Sequence, residues 1–453
     1  MRQVNLLDET LRDGEQTRGV HFSPTDKLRI ANLLVTAGTQ VINGGFPAAG
    51  VPESQCVQHL ARNLKGAELL AIARCTQPDI DACWQAIGEA ESPRIGLFIP
   101  VSDLHMRVKL NRTPQQIVEL ATSAVRAALK YTSHVDLAFE DATRAEPQFL
   151  VEVARAVAEA GASVLTICDT VGYSVPESIA QLVRVVRQAV DEYSGTEIGV
   201  HCHNDLGLAV ANTLAAAAAG AARLECTVNG LGERAGNASL EQVVTALAIH
   251  TSTYGVETRF RLDCAARLST LVAERSGVEV APSQPVVGRN AFSHVAGIHQ
   301  DGVMKNPGTY EVIDPAALGR TREVATFSKL MGRSGLHALL REEGLSVPGE
   351  KVDEVLTQVK AKAAEGLPIH LPTIVREVTE PPPLLRALRF NTDLYRWRHE
   401  DDETILLYRL GGEQIVFLRG RSRAAFLDAA RGEVRDTQVV EALREKQIFA
   451  EEG

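Results

Sequence analysis

His134-Val135-Asp136-Leu137-Ala138-Phe139, then Pro147 through Ala160, then Ser163-Val164-Leu165-Thr166-Ile167-Cys168 read as strand, helix and strand. The two short runs are apolar with β-branched residues, and the stretch between them is made of good helix formers of suitable length. Like runs joined by a helical crossover imply parallel strands. Working outward, similar runs lie near Val4–Leu7, Gln40–Phe46, Glu68–Ala73 and Arg94–Ile99 on one side, and near Glu197–His203 and Arg223–Val228 on the other. Helical stretches such as Pro114–Lys130 and Leu206–Ala219 separate them. Eight such units predict an α/β fold of the TIM (β/α)8 type over residues 1–276. The first turn lacks a Gly-x-Gly-x-x-Gly phosphate fingerprint, which argues against an open dinucleotide-binding sheet.

A chain of 453 residues exceeds one barrel. Residues 277–325, rich in Gly, His, Asn and Pro, read as an irregular linker or lid, and residues 326–380 as a helical subdomain. The triplet Pro381-Pro382-Pro383 marks a stiff boundary. Residues 384–453 read as a small α+β module: Glu403–Leu410 and Glu413–Leu418 flank Gly411-Gly412 as a hairpin, followed by helices over Ser422–Ala430 and Thr437–Glu445. A strand pair with two helices is compatible with a winged-helix-like module. Its 12 Lys/Arg against 13 Asp/Glu, a net of −1, lack the footprint of nucleic-acid binding.

The formal net charge of −10 disfavours nucleic acid and anionic membranes as partners and leaves small molecules. Seven cysteines without paired spacing fit reduced thiols in a cytoplasmic protein. The N-terminus runs straight into a strand-like segment, and no targeting or membrane-spanning segment is expected.

Chemistry concentrates at the ends of the seventh, eighth and first strands. His201 and His203, two apart on a strand, point to the same face and can meet one metal ion. In a parallel barrel the first and eighth strands are neighbours, so Asp13 and Asn237 fall at the same mouth. Two imidazoles, a carboxylate and an amide oxygen suit a divalent cation with open positions, and these donors accept Mg, Mn or Zn.

Three segments then carry a resemblance: Leu7-Asp8-Glu9-Thr10-Leu11-Arg12-Asp13-Gly14-Glu15-Gln16, His201-Cys202-His203-Asn204-Asp205-Leu206-Gly207, and Asn229-Gly230-Leu231-Gly232-Glu233-Arg234-Ala235-Gly236-Asn237. Together they resemble the signatures of the DRE-TIM metallolyase superfamily. Gly297-Ile298-His299-Gln300-Asp301-Gly302 and Tyr310-Glu311-Val312-Ile313-Asp314-Pro315 are similar to the linker of 2-isopropylmalate synthases, with homocitrate and citramalate synthases as relatives. The resemblance covers about residues 4–375 and implies an acyltransferase that joins the methyl carbon of acetyl-CoA to the ketone of a 2-oxo acid. It assigns the metal to Asp13, His201, His203 and Asn237, and family usage implies Mg or Mn, with Zn as the alternative. Arg12 would hydrogen-bond the acceptor ketone, Thr170 would contact the acceptor carboxylate unless it merely caps a helix, and Glu140 would be an active-site carboxylate. Glu233 joins the substrate-binding candidates. His299 and Tyr310 would assist proton removal from the acetyl methyl group, across a homodimer. A superfamily lyase lacks support because Gly232-Glu233-Arg234-Ala235-Gly236 bears no cysteine, and a bare binding scaffold is disfavoured by retention of Asp13, His201, His203 and Arg12.

Departures from the family pattern gather around the acceptor. Asn43 stands where Glu is usual, Gly96 where isopropylmalate synthases usually have His, and Ala138 where Ser is common. These changes predict a roomier, less negative pocket and an acceptor other than 2-oxoisovalerate, with a larger or an anionic side chain. Arg18, where proline is common, would be the partner of a distal anion. The C-terminal module is shorter than a leucine-binding regulatory domain, so leucine feedback is not implied.

Overall fold

The computed structural model describes residues 1–193, 195–322, 327–379, 388–412, 414–431 and 436–451. The chain forms two compact units, Met1–Ser293 with Lys305–Glu323, and His294–Met304 with Val324–Gly453.

The first unit is built on a closed parallel barrel of eight strands: β1 (Asn5–Asp8), β2 (Val41–Asn43), β3 (Glu68–Arg74), β4 (Pro93–Pro100), β5 (Val135–Glu140), β6 (Val164–Asp169), β7 (Glu197–Cys202) and β8 (Arg223–Cys226). All eight expected runs are strands. Closure is made by β1 against β8, with Asn5 opposite Arg223 and Asp8 opposite Cys226. The surrounding helices start and stop where local chemistry dictates. Pro24–Ala37 begins on Ser23, whose hydroxyl accepts the Asp26 N–H, and ends at Gly38 in the left-handed region (φ 94°). A Cβ on Gly38 would lie 2.4 Å from the Arg259 carbonyl oxygen, so only glycine fits there. Pro114–Ala128 opens with a reciprocal Thr113/Gln116 capping box.

Alternate residues of each strand point into the barrel. The lowest inward layer is ionic: Arg94 reaches Glu68 and Asp136 at 2.6 Å each, and Arg223 pairs with the other oxygen of Asp136. This paired floor leaves the C-terminal end of the barrel open for chemistry.

The loops at that end are tied by a buried ammonium. Lys27 is fully buried, with Nζ 2.7 Å from Glu15 and 3.4 Å from Glu53. Glu15 in turn accepts the Phe22 N–H, and Glu53 the Phe46 N–H. Lys27→Met would leave both carboxylates without their cation. Because both are partly solvated, it is expected to cost about 1–3 kcal/mol, read from the denaturant midpoint at unchanged m-value.

In the second unit, Arg333–Glu342, Val352–Ala364 and Leu371–Thr379 are helices that share a core around Leu336, Val355 and Ile374. The expected helix over Lys351–Ala364 is thus present. The proline triplet 381–383 lies outside the described residues. Beyond it, β9 (Leu388–Phe390) pairs with β13 (Phe449–Glu451), and β10 (Tyr395–His399), β11 (Thr404–Arg409) and β12 (Ile415–Arg419) form an antiparallel sheet. The expected hairpin is β11–β12, and the helices Gly420–Ala430 and Thr437–Glu445 follow it. Among the described residues no helix is long and apolar enough to cross a membrane, and all seven cysteines are unpaired thiols.

Candidate active site

A cavity of about 360 Å³ opens at the C-terminal end of the barrel, within the range usual for small-molecule sites. One side is apolar, formed by Leu7, Phe46, Leu70, Ile72 and Phe98, with the Phe46 and Phe98 rings edge to face at 6.0 Å. The other side carries Arg12, Asp13, Thr170, His201 and His203.

His201 and His203 extend from the end of β7 with their Nε2 atoms 3.3 Å apart, and Asp13 Oδ2 lies 4.0 and 3.9 Å from them. His201 Nδ1 is 3.1 Å from Glu225 Oε2, and His203 Nδ1 is 3.3 Å from the Gly236 carbonyl oxygen. Both partners accept only, so each Nδ1 carries the proton and each neutral ring turns an Nε2 lone pair toward Asp13. Two lone pairs and a carboxylate oxygen so close together call for a cation. Orientation of ligating rings by a carboxylate and a carbonyl is the usual outer shell of a metal site. Asn237 adds a fourth donor: its Nδ2 donates to Asp13 Oδ1 at 2.9 Å and to the Leu231 carbonyl at 3.0 Å, while its buried Oδ1 has no donor among the described residues. The residues therefore fit a divalent cation. Gly232 makes room for them, since a Cβ there would sit 2.1 Å from Asn237 Nδ2 and 2.7 Å from Asp13 Oδ1.

Burial works against the Asp13 carboxylate, yet Arg12, His201 and His203 outweigh it and hold the carboxyl well below its usual range. Burial, with His201 adding to it, pushes the His203 imidazole down to about 4, which keeps it neutral as a ligand. Burial also disfavours protonated His201, but Glu225 reverses this and holds it above its ordinary value, so a cation at Nε2 competes with a proton there.

Arg12 lines the cavity, held by Glu9 through Nε at 2.7 Å and by Asp13 through Nη1 at 2.8 Å. Thr170 lines it too; its hydroxyl accepts the Asp141 N–H at 2.8 Å, and it caps no α-helix, the next one starting at Pro176 after Val175. Glu140 lies on the wall, gripped by Lys109 Nζ at 2.6 and 2.9 Å and within 3.0 Å of His105 Nδ1. Gly96, Ala138 and Glu233 also line it.

The remaining expected residues are placed differently. Arg18 is exposed and outside the cavity lining. Asn43 is fully buried and does not line the cavity; its amide donates to Glu9 at 2.9 and 3.0 Å. A carboxylate, that of Glu9, thus stands beside that position. The space over Gly96 is not empty: a Cβ there would meet Leu70 Cδ2 at 2.9 Å. Tyr310 is partly exposed and lies outside the cavity lining of its own chain, and His299 belongs to the second unit, on the helix Gly297–Lys305, exposed.

Sequence reading missed Glu225, Glu9, His105 and Lys109. For Glu225 the usable signal was parity: it points inward from β8 and stands opposite His201 in the strand register.

A closed parallel barrel whose mouth holds an Asp–His–His cluster beside an arginine defines a protein of the DRE-TIM metallolyase class. The chain belongs to the HMGL-like family, which it matches over residues 3–272, and residues 286–367 match the homocitrate synthase post-HMGL domain-like family. Among curated relatives, 2-isopropylmalate synthase of Pyrococcus furiosus is 45% identical over 379 residues, covering 83% of this chain and 76% of that protein. The enzyme of the same name from Ruminiclostridium cellulolyticum is 44% identical over 359 residues, covering 79% and 71%. These relatives are acyltransferases, and the chain is an enzyme of that type. Of solved structures, the HMG-CoA lyase of Brucella melitensis superposes with a TM-score of 0.52 at 20% identity over 61% of this chain and all of that one. The Bacillus subtilis HMG-CoA lyase gives 0.53 at 19% over 64% and 97%. At that identity the likeness concerns the barrel fold alone.

Proposed function

We propose that the protein condenses acetyl-CoA with a 2-oxo acid to give a 2-substituted malate and free CoA. The observation that carries this reading is the convergence of Asp13, His201, His203, Asn237 and Arg12 at one cavity, in a chain whose relatives are named 2-isopropylmalate synthases. A divalent cation held by the first four residues supplies, when bound, Lewis-acid polarisation of the acceptor ketone. Arg12 donates to the same ketone oxygen and stabilises the negative charge that develops there as the carbon–carbon bond forms. The Thr170 hydroxyl, whose oxygen already accepts from Asp141, has its proton left to donate to the acceptor carboxylate. Glu140, with its Lys109 and His105 partners, closes the side of the site nearest β5.

The partner subunit's His299 and Tyr310 complete the site in a homodimer and help to remove the acetyl methyl proton. Mixing inactive Arg12→Ala chains with inactive Tyr310→Phe chains is expected to restore part of the activity as mixed dimers form. No recovery in demonstrated mixed dimers contradicts a shared site.

The acceptor is a hydrophobic 2-oxo acid whose side chain is bulkier than isopropyl. Support comes from the apolar wall of Phe46, Leu70, Ile72 and Phe98, the small residue Ala138 beside it, and the absence of Arg18 from the lining. The test is kcat/KM across branched, aromatic and dicarboxylic 2-oxo acids. An aromatic or long aliphatic acceptor should rank first. Gly96→His, which must displace Leu70, should lower kcat/KM for the bulky acceptor by about tenfold or more while sparing a small one. Preference for 2-oxoisovalerate or for a dicarboxylic acid contradicts this reading of the pocket.

A further inference from the structure

We infer that Glu9 is a positioning residue for Arg12 and that Asn43 is its matched neutral partner, the two aiming the guanidinium into the cavity from β1 and β2. The inference rests on the proposed role of Arg12 at the acceptor ketone. Glu9 and Asn43 are both buried, and they follow the register in which Asp8 stands opposite Ile42. One oxygen of Glu9 accepts from Arg12 Nε and lies 2.7 Å from Nη2 as well, a two-point grip on one edge of the planar group. Asp13 takes a third N–H through Nη1, so two of the five guanidinium hydrogens are left for the cavity. Without Glu9 the side chain would keep its charge but lose the grip that fixes where those hydrogens point.

Asn43 sets Glu9 in turn. Its Oδ1 accepts the Gly45 N–H at 3.1 Å, which fixes the amide orientation and turns Nδ2 to both Glu9 oxygens. A carboxylate at residue 43 would bring two like charges together out of water, and Glu9 would have to protonate or move. Asn43 therefore reads as the complement of a carboxylate that this chain supplies from residue 9.

The test is calorimetric binding of the preferred acceptor to the Mn-loaded full-length enzyme, with kcat and KM measured alongside, for wild type, Glu9→Gln, Asn43→Asp, Arg12→Ala and Glu9→Gln/Arg12→Ala. Both isosteric single variants should weaken acceptor binding and lower kcat/KM by about tenfold or more, the scale of a lost hydrogen bond to a charged group. In the Arg12→Ala background Glu9→Gln should add nothing further, whereas a merely structural Glu9 would cost the same factor in both backgrounds. Wild-type binding by Glu9→Gln, or an undiminished penalty in the double variant, overturns the inference. If Arg12→Ala itself leaves binding and turnover unchanged, the proposed role of Arg12 fails; an effect of Arg12→Ala with none of Glu9→Gln removes the positioning role alone.

Discussion

Alanine at His201 or His203 is expected to abolish acyl transfer, with a loss of at least about 10²-fold in kcat/KM, and to weaken Mn or Mg binding while the barrel remains folded. The structure gives the reason. The two Nε2 atoms and Asp13 Oδ2 converge within 4.0 Å, and each ring is held in its donor-outward tautomer by Glu225 or by the Gly236 carbonyl. Removing one ring leaves the Asp13 carboxylate, one imidazole and the Asn237 amide oxygen, a weaker set of protein donors to compete with water for a hard cation. Metal titration of the purified variants separates this from misfolding, provided thermal midpoints remain close to wild type. Unchanged turnover in either variant, or in wild-type enzyme after thorough chelation, contradicts a metal role.

Arg12→Ala is expected to lower kcat by about 10²–10³-fold, the cost of one donor aimed at a developing oxyanion. The effect should weaken acceptor binding about tenfold and fall still more heavily on kcat, because the hydrogen bond to the ketone already exists in the bound acceptor and strengthens as charge builds on its oxygen. Arg12→Lys should recover little. The ammonium is a compact charge that cannot reproduce the two-edge pairing with Glu9 and Asp13. Equal loss in kcat and gain in KM, with full rescue by lysine, would assign Arg12 to simple charge attraction.

The barrel was legible because each strand is a compact apolar run separated from the next by a helix of ordinary length, and a strand buried on both faces writes its identity in consecutive residues. His201 and His203 were legible for a related reason: spacing within one strand needs no partner to interpret. What escaped reading depends on register between strands. Glu225 matters because it stands opposite His201, and Asn43 because it faces Glu9; nothing local in β2 or β8 announces either pairing. The same holds for Gly96, whose apparent vacancy is taken by Leu70 from the adjacent strand. In the terminal module Tyr395–His399 was missed as a strand because its Arg-rich run lacks the consecutive aliphatic residues that mark Thr404–Arg409.

The central claim is tested most directly by following thiol release from acetyl-CoA with purified enzyme, a divalent cation and a panel of 2-oxo acids, with the product identified by mass. Free CoA should appear only when a 2-oxo acid and the cation are both present, in step with a malate substituted at carbon 2. Release without an acceptor, release unaffected by chelation, or cleavage of such a malate derivative without any condensation would contradict the account.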